Sequence, residues 1–410
     1  MSTLAIDGGA PVRSAPFPLR RLMGPDEQAA LNAMFDRAEA DGHGVFGYNG
    51  PEEEAYCSDF ARSLGGGFAD AVNSGTNAVW VALRSLELEP LGEVIVPAVS
   101  DPGGVMPVAL ANQLPVPADC APGSYNVAAD QIAARIGPRT RAIVVAHIAG
   151  SPADIDPIVA IASSKGIPVI EDCAQAHGAR YKGRPVGTSG DIAVFSTMFG
   201  KHHMTGGQGG VVFTRDEARY WAIRRHADRG KPFGIENPTG NVVPALNCNM
   251  DELHAAIGRV QLAKLPEVVR RRRAIARSVI DACARDLAAV SVIDEPPQTE
   301  ASFWFMLIRI DPARLKVDRD AFCAALRAEG IPVSPGYPYI PARSPWATDP
   351  RSYAPGLLAS ARTAPADWPL PNIEATDSVC MQLMFHEDWT QADADDVVAA
   401  LAKVQAAYLK

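Results

Sequence analysis

Short apolar runs bounded by turn residues recur through the first two-thirds of the chain, with helical patterns between several of them. Because the runs are apolar on both faces, they are typical of strands buried in a mostly parallel sheet. The clearest runs cover residues 94–97, 142–146, 168–170, 192–195 and 210–213. The helical patterns cover residues 77–86, 128–136, 155–165 and 215–227. This alternation predicts an α/β fold in which helices cover a mostly parallel central sheet.

The pattern changes near residue 250. The pattern of residues 250–287 predicts a helix, although Pro266 predicts a kink or a division there. The remaining segments alternate without similar buried runs, and they predict a strand at 303–310, a helix at 319–329 and an amphipathic closing helix at 393–409. We therefore expect a large domain with the N-terminal segment over residues 1–250, and a linking helical region with a smaller α+β domain over residues 251–410.

Composition narrows the possible partners. The chain has 410 residues, 47% of them apolar, and a formal net charge of −9 without a basic stripe, so neither nucleic acid nor an anionic membrane is an expected partner. The seven cysteines form no C-x-x-C pair, which favours reduced thiols over a metal site or a disulfide framework. No apolar run approaches ~18 residues and no signal peptide is recognisable. We expect a soluble, cytoplasmic protein.

Three local signals carry candidate chemistry, and the first is S-G-T at residues 74–76, directly before the predicted helix 77–86. Backbone N–H groups at a helix N-terminus favour a phosphate. Gly75 allows close approach and Thr76 adds a hydroxyl group, whereas Ser74 alone would be read as an ordinary helix cap.

The second signal is a carboxylate at the end of the buried strand near residue 170. Asp172 lies where ligands bind in open α/β sheets, and a carboxylate there can keep a pyridine nitrogen protonated. Capping of the next turn is the simpler interpretation.

The third signal is Lys201, which lies between an apolar strand and the glycine cluster 206–210. Burial would lower the pKa of this lysine and let the neutral amine form an imine, although most lysines lie on the surface.

The ordered set of motifs resembles the DegT/DnrJ/StrS family of sugar aminotransferases, which have the aspartate aminotransferase fold (type I of the pyridoxal phosphate enzymes). The resemblance runs over nearly the whole chain and is densest from residue 73 to 261. The matching pieces are S-G-T at 74–76, V-P-A at 96–98, E-D-C-A-Q-A-H-G at 171–178, F-S at 195–196, Lys201, G-x-G-G at 207–210 and N-x-x-M-x-E at 247–252.

The resemblance implies that pyridoxal 5'-phosphate is the cofactor and that Lys201 holds it as a Schiff base. It also implies that Asp172 pairs with the ring nitrogen and that Gln175 lies near the phenolic oxygen of the ring. The residues that it assigns to the phosphate are Ser74, Gly75, Thr76 and Ser196. Asn247 would reach the phosphate in the neighbouring subunit, so a homodimer with shared active sites is expected.

Departures from the family pattern concern the substrate side. Asp101 falls at or near the place of an aromatic residue that stacks on the ring. Either its loop turns away so that Val105 or Met106 covers the ring, or Asp101 accepts hydrogen bonds from substrate hydroxyl groups. His202 and Tyr337 are the other candidate substrate residues. Two further departures are Gln208 in place of an acid, and N-C-N-M at 247–250 without the arginine of nucleotide-sugar members.

Within the family the chain resembles most the cyclitol branch, which contains the glutamine:scyllo-inosose aminotransferases. The shared features are Gly200 before the lysine and M-T-x-G-x-G-G at 204–210. The implied reaction moves an amino group from L-glutamine or L-glutamate to a polyhydroxylated keto-cyclitol or keto-sugar in aminocyclitol or amino-sugar biosynthesis. Three alternatives stay open: a nucleotide-linked keto-sugar acceptor, a deaminase or dehydratase of the same cofactor, and a non-catalytic regulatory homologue. The dehydratase branch usually has histidine in place of the lysine, and Lys201 argues against it.

Overall fold

The computed structural model describes residues 3–42, 46–293, 296–337 and 339–410. The α-helices in these residues are α1 (Pro25–Ala40), α2 (Pro51–Ser63), α3 (Gly75–Ser85), α4 (Met106–Leu110), α5 (Ala129–Arg135), α6 (Ile155–Ser163), α7 (Glu217–Ala227), α8 (Glu252–Asp286), α9 (Arg319–Ala328), α10 (Pro345–Thr348), α11 (Pro371–Asp377) and α12 (Gln391–Tyr408). The strands are β1 (Phe68–Val72), β2 (Glu93–Pro97), β3 (Leu114–Ala118), β4 (Thr140–Ala146), β5 (Val169–Asp172), β6 (Arg180–Tyr181), β7 (Arg184–Pro185), β8 (Ile192–Ser196), β9 (Gly210–Thr214), β10 (Val290–Val292), β11 (Thr299–Glu300), β12 (Phe305–Ile310), β13 (Val333–Pro335) and β14 (Cys380–Met384).

The central sheet has seven strands in the order β1-β9-β8-β5-β4-β2-β3. Neighbouring strands from β3 to β8 run parallel, and β9 is antiparallel to both of its neighbours. Strands β2, β4 and β5 are buried on both faces almost throughout, as expected for a sheet covered by helices on each side. The predicted α/β fold with a mostly parallel sheet is confirmed.

The register of the sheet brings the ends of β1, β5 and β8 to one edge. Gly210, the first residue of β9, pairs with both Val72 and Ser196, and Asp172 pairs with Val194. A side chain at Gly210 would collide with the backbone on both sides, because its Cβ would lie 2.6 Å from the Ser74 carbonyl oxygen and 3.0 Å from that of Phe195. The glycine therefore allows the start of α3 to approach the end of β8.

Two strands of the central sheet lack the continuous apolar run that the sequence pattern of a buried strand predicts. Strand β3 contains two prolines, Pro115 and Pro117, and is tolerated because it lies at the edge of the sheet, next to β2. Strand β1 contains the buried charge of Asp70, which forms an ion pair with Arg224 at 3.4 Å. Neither feature is typical of a buried strand, and only the tertiary partners explain them.

A second sheet has four antiparallel strands in the order β10-β12-β14-β13. Helices α9 and α12 and the C-terminal half of α8 share its apolar core. Helix α8 runs without a break from Glu252 to Asp286, so the division considered at Pro266 is wrong. A proline removes one backbone hydrogen bond, and the packing of α8 against α1, α2 and α12 outweighs that loss. Among the described residues, no helix has the length and apolarity needed to cross a membrane.

Candidate active site

A cleft opens at the sheet edge where β1, β5 and β8 end. Segments that are far apart in the sequence meet there, so most of the motifs singled out above share one space. The residues lining the cleft are Ser74, Gly75, Thr76, Val79, Asp101, Gly103, Gly104, Asp172, Ala174, Val194, Phe195, Ser196, Met198, Lys201 and Gln208.

One end of the cleft is built to receive an anion. Ser74 caps α3, and its Oγ accepts the backbone N–H of Asn77 at 3.1 Å. The N–H groups of the first helical turn have no partner within the helix and carry the positive end of the helix dipole. Gly75 faces Ser196, and a Cβ at Gly75 would lie 2.5 Å from the Ser196 Cβ and 2.9 Å from its Oγ. The absent side chain leaves a cradle between the helix and the serine, which suits a phosphate group.

The carboxylate of Asp172 also lines the cleft. Its Oδ1 accepts the N–H of Ala174 at 3.0 Å. Its Oδ2 lies beside Gly104, where an added Cβ would be only 2.7 Å away. Burial raises the pKa of Asp172, while the Ala174 N–H and the nearby Lys201 charge oppose that rise. Because Oδ2 is beside the cleft, this carboxylate can pair with a cationic ring nitrogen.

The preceding carboxylate, Glu171, points to the other side of the sheet. It accepts the backbone N–H groups of Gly187, Ser189 and Gly190 at 3.0, 2.8 and 2.6 Å. Its fourth partner is Nε2 of His147 at 3.1 Å. Burial alone would raise the pKa of Glu171, but these hydrogen bonds outweigh it and lower the pKa. Glu171 therefore holds a turn, and Asp172 is left as the acid of the cleft.

His147 and Glu171 also lie close to Cys173, at separations that a metal ion would allow. The Nδ1 atom of His147 accepts the N–H of Ala153 at 3.0 Å. The ring proton is therefore on Nε2, which donates to Glu171. Both ring nitrogens are used in hydrogen bonds, and we interpret the cluster as structural.

Lys201 lies in the turn after β8 and is 5% exposed. Its Nζ is 3.5 Å from the centre of the Trp304 ring. Burial lowers the pKa of Lys201 to about 8, against the opposing charges of Asp172 and Asp101. A lysine with such a pKa is partly neutral near physiological pH, and a neutral amine is the nucleophile that reacts with an aldehyde.

Trp304 is a residue of the site that the sequence did not reveal. It directly precedes β12, and its indole N–H donates to the Gly200 carbonyl oxygen at 3.1 Å. In the sequence it belongs to the apolar run F-W-F-M-L-I, where an aromatic residue is expected to lie in the hydrophobic core. No pattern in the chain connects it to Lys201.

The loop of Asp101 lies beside this centre. The side chain of Asp101 accepts the N–H of Gly103 at 2.9 Å and caps a short helical turn, Pro102–Gly104. Gly103 and Gly104 line the cleft with it. Val105, in contrast, is buried in the core with α3. The loop thus presents a carboxylate and two glycines to the cleft, and Val105 does not cover it.

Gln175 and Tyr337 form a pair behind the cleft. Gln175 accepts the N–H of Ala149 at 2.8 Å and donates to the Tyr337 hydroxyl at 3.1 Å. Tyr337 is 3% exposed and stacks on Phe305 at a centroid distance of 5.2 Å. Neither side chain is among the residues lining the cleft. In this structure they contact each other, and any contact with cofactor or substrate stays a prediction.

His202 and Asn247 lie outside the cleft. His202 is fully buried, and its Nε2 is 3.2 Å from the Ser302 carbonyl oxygen. The structure therefore does not bring this side chain to the proposed substrate space. Asn247 is exposed, and its side-chain oxygen accepts the amide of Asn249 at 2.6 Å. It does not line the cleft of its own chain, and a role for Asn247 at the phosphate of a neighbouring subunit stays a prediction.

Fold and site together define a pyridoxal-phosphate-dependent aminotransferase. The chain belongs to the DegT/DnrJ/EryC1/StrS aminotransferase family, which it matches over residues 28–402. It is 32% identical over 350 residues to an L-glutamine:2-deoxy-scyllo-inosose aminotransferase from Micromonospora echinospora, covering 82% of this chain and 83% of the relative. A protein of the same name from Streptomyces fradiae is 32% identical over 425 residues and covers 98% of each chain. The X-ray structure of an aminotransferase from Psychrobacter cryohalolentis superposes with a TM-score of 0.82 at 27% identity, covering 96% and 99% of the two chains.

Proposed function

We propose that Lys201 binds pyridoxal 5'-phosphate covalently and that the enzyme moves an amino group from L-glutamine or L-glutamate to a polyhydroxylated keto-cyclitol. The observation that carries the proposal is the position of Lys201. Its amine is buried against Trp304, and the lysine shares one cleft with Asp172 and the N-terminus of α3. These are an amine, a carboxylate and an anion cradle, the three groups that this cofactor requires.

The residues of the cleft fit the cofactor. The cradle between Gly75 and Ser196 would hold the phosphate, with Ser74 and Thr76 beside it. Asp172 would pair with the ring nitrogen. Pyridoxal phosphate, when bound, supplies an aldehyde and an electron-withdrawing ring.

Each side chain then has a definable task. The Nζ of Lys201, with its pKa near 8, can take a proton from the reacting carbon of the substrate and return it. The carboxylate of Asp172 would keep a cation in place in the cleft, and burial would strengthen this pairing. Gly104 leaves room against Asp172, and Gly103 leaves room against Thr76, that any larger side chain would fill.

The substrates are proposed from the relatives and from Asp101. Two relatives that each cover more than four-fifths of the chain are named for L-glutamine and 2-deoxy-scyllo-inosose. Asp101 supports a substrate of that kind, because a carboxylate at the cleft accepts hydrogen bonds from hydroxyl groups. Residues 247–250 lack the arginine of nucleotide-sugar members, and this absence favours an acceptor without a nucleotide.

We also propose a homodimer with shared sites. Large apolar side chains are exposed on the segments that flank Lys201 and Asn247: Phe199 is 65% exposed, Leu246 54% and Val242 43%. Exposed apolar side chains grouped near a site favour an interface with another subunit. A symmetric pairing would carry each Asn247 toward the partner's cradle.

The experiment is a test of cofactor attachment followed by a test of acceptors. Borohydride reduction of the purified protein with pyridoxal phosphate should label Lys201, as read by peptide mass spectrometry. Lys201→Ala should abolish the label, whereas Lys182→Ala, a change of an exposed lysine, should not. Labelling of another lysine would contradict the assignment.

The acceptor test offers 2-deoxy-scyllo-inosose and a nucleotide-linked keto-sugar to the enzyme with L-glutamine. Formation of the aminocyclitol supports the proposal. Preference for the nucleotide-linked sugar would favour that alternative instead. Release of ammonia without an amino product would indicate a deaminase or dehydratase, and no conversion of L-glutamine, L-glutamate or either acceptor would indicate a non-catalytic homologue.

A further inference from the structure

The turn that carries Lys201 is held from outside the central sheet. Three consecutive carbonyl oxygens of the turn accept hydrogen bonds from two distant side chains. The oxygens of Phe199 and Lys201 accept from the guanidinium of Arg20 at 3.4 and 2.8 Å, and that of Gly200 accepts from the Trp304 indole at 3.1 Å. The backbone of the turn that carries Lys201 is thus held by Arg20 of the N-terminal segment and by Trp304, the residue before β12.

One carboxylate orients both of these contacts. Glu387 binds Nε of Arg20 through Oε1 at 2.7 Å and Nε of Arg272 through Oε2 at 2.8 Å. Arg272 in turn donates through Nη1 to the carbonyl oxygens of Phe303 and Trp304, each at 3.1 Å. The side chains of Glu387 and Arg272 are 4% and 2% exposed, and that of Arg20 is 18% exposed. Glu387 therefore joins the Lys201 turn, helix α8 and the Trp304 segment.

We propose that Glu387 is a positioning residue for Lys201, which holds Arg20 and Arg272 so that the lysine turn and the Trp304 indole stay in contact. The proposal rests on the proposed role of Lys201. It goes beyond that role because Glu387, in the loop between β14 and α12, does not line the cleft.

The physical reason is charge neutralisation. Two guanidinium groups lie against one buried carboxylate, and without its charge they would repel each other in a poorly solvated space. Arg20 is the more exposed of the two, so it is the group that can turn toward solvent. It would then release the carbonyl oxygens of Phe199 and Lys201, and the lysine would gain access to water.

Access of water to Lys201 would change the pKa of its amine, and this pKa can be measured. Burial is the largest cause of the lowered pKa of this lysine, so partial solvation raises the pKa toward the ordinary value. Among the residues that the structure describes, the charged groups that influence the pKa of Lys201 are the carboxylates of Asp172 and Asp101, and the lysine also lowers the pKa values of His177 and His202. Glu387→Gln alters none of these side chains, so a shift would report the position of the lysine.

A matched control exists in Glu329. It is also fully buried, and it accepts the N–H groups of Ala5 and Val12 at 2.8 and 2.9 Å and binds Lys403 at 2.8 Å. Like Glu387, it binds the N-terminal segment, but it does not contact the turn that carries Lys201. Glu329→Gln should therefore weaken folding without changing Lys201.

The experiment measures the rate of reductive methylation of Lys201 in the cofactor-free full-length protein as a function of pH, resolved by peptide mass spectrometry. Glu387→Gln should raise the midpoint by about one unit and slow labelling at pH 7 about tenfold, and Glu387→Asp should restore most of the rate. Glu329→Gln should match the unchanged protein. An unchanged midpoint in Glu387→Gln, or an equal shift in Glu329→Gln, would overturn the proposal.

If Glu387→Gln does not fold, Arg20→Lys provides the second variant. It keeps the positive charge next to Glu387 but loses the fork that reaches the Phe199 and Lys201 oxygens. Its midpoint should rise by a smaller amount, and an unchanged midpoint would refute the proposal. Because labelling is read without cofactor, a failure of cofactor attachment at Lys201 would be seen separately in the borohydride test.

Discussion

The pKa of Lys201 allows one prediction to be worked out from the structure. With a pKa of about 8 in place of the ordinary 10.5, about a tenth of the amine is neutral at pH 7, against about 0.03% for a free lysine. Lys201 should therefore capture an aldehyde at pH 7 about 300-fold more readily than a surface lysine does, from ionisation alone. The capture rate should rise with pH and level off above about 9.

Asp101→Asn tests the electrostatic part of this reasoning. The charge of Asp101 raises the pKa of Lys201 and opposes the effect of burial. Asparagine keeps an oxygen for the Gly103 N–H, so the loop conformation should survive while the charge is lost. The pKa should fall below 8, and the neutral fraction at pH 7 should rise. Because about a tenth is neutral already, ionisation can increase the rate by no more than about tenfold.

Stopped-flow mixing of cofactor-free protein with pyridoxal phosphate, from pH 6 to pH 10, measures this rate. Asp130→Asn, which removes an exposed carboxylate on α5, is the control for net charge and should leave the midpoint unchanged. A midpoint near 10.5 in the unchanged protein would show that Lys201 is solvated. A higher midpoint in Asp101→Asn would refute the assigned direction of its charge effect.

Further predictions concern the ring, the acceptor, the dimer and stability. Asp172→Asn should retain the cofactor but slow the amino-donor half-reaction by roughly 10²–10³-fold, since an amide cannot neutralise a ring cation, and near-normal single-turnover rates would contradict this. Asp101→Phe should leave the donor half-reaction intact and reduce acceptor turnover, whereas two unchanged half-reactions would show that Asp101 has no role in the pocket. Asn247→Ala should loosen cofactor retention while sedimentation still shows a dimer, and a fully active monomer would rule out the shared site. His177 and His203 are buried, and burial lowers their pKa values to about 3 and about 4 from 6.5. The unfolded chain therefore takes up protons first, and stability present above pH 6.5 is lost as the pH falls toward 4. At pH 5 the loss should be about 2 kcal/mol for each histidine, and equal urea midpoints at pH 7 and pH 5 would contradict this.

Much of the fold was predictable because the signals are local. Strands buried on both faces read as continuous apolar runs, and the predicted runs at 142–146, 192–195 and 210–213 correspond to β4, β8 and β9. The meeting of the motifs in one place was predictable as well, because parallel strands have their carboxyl ends at the same edge of a sheet. The family, the fold and the class of enzyme predicted from the motifs are confirmed. The division of the chain between residues 250 and 251 stays a prediction, although α8 begins at Glu252.

The sequence by itself placed Lys201, Asp172 and the Ser74–Thr76 turn, because each follows a recognisable strand or begins a helix. It could not decide which way their neighbours face. Because side chains alternate along a strand, Asp172 faces the cleft and Glu171 faces away from it. His202 is buried and does not line the cleft.

Tertiary structure alone decided what surrounds the lysine. Trp304 lies 304 − 201 = 103 residues beyond it in the chain, and Glu387 joins segments that no periodicity connects. Such contacts depend on how the helix α8 and the four-stranded sheet pack against the sheet edge. Local sequence patterns describe which face of an element is buried, but the partner on the other side is chosen by the packing of the whole chain.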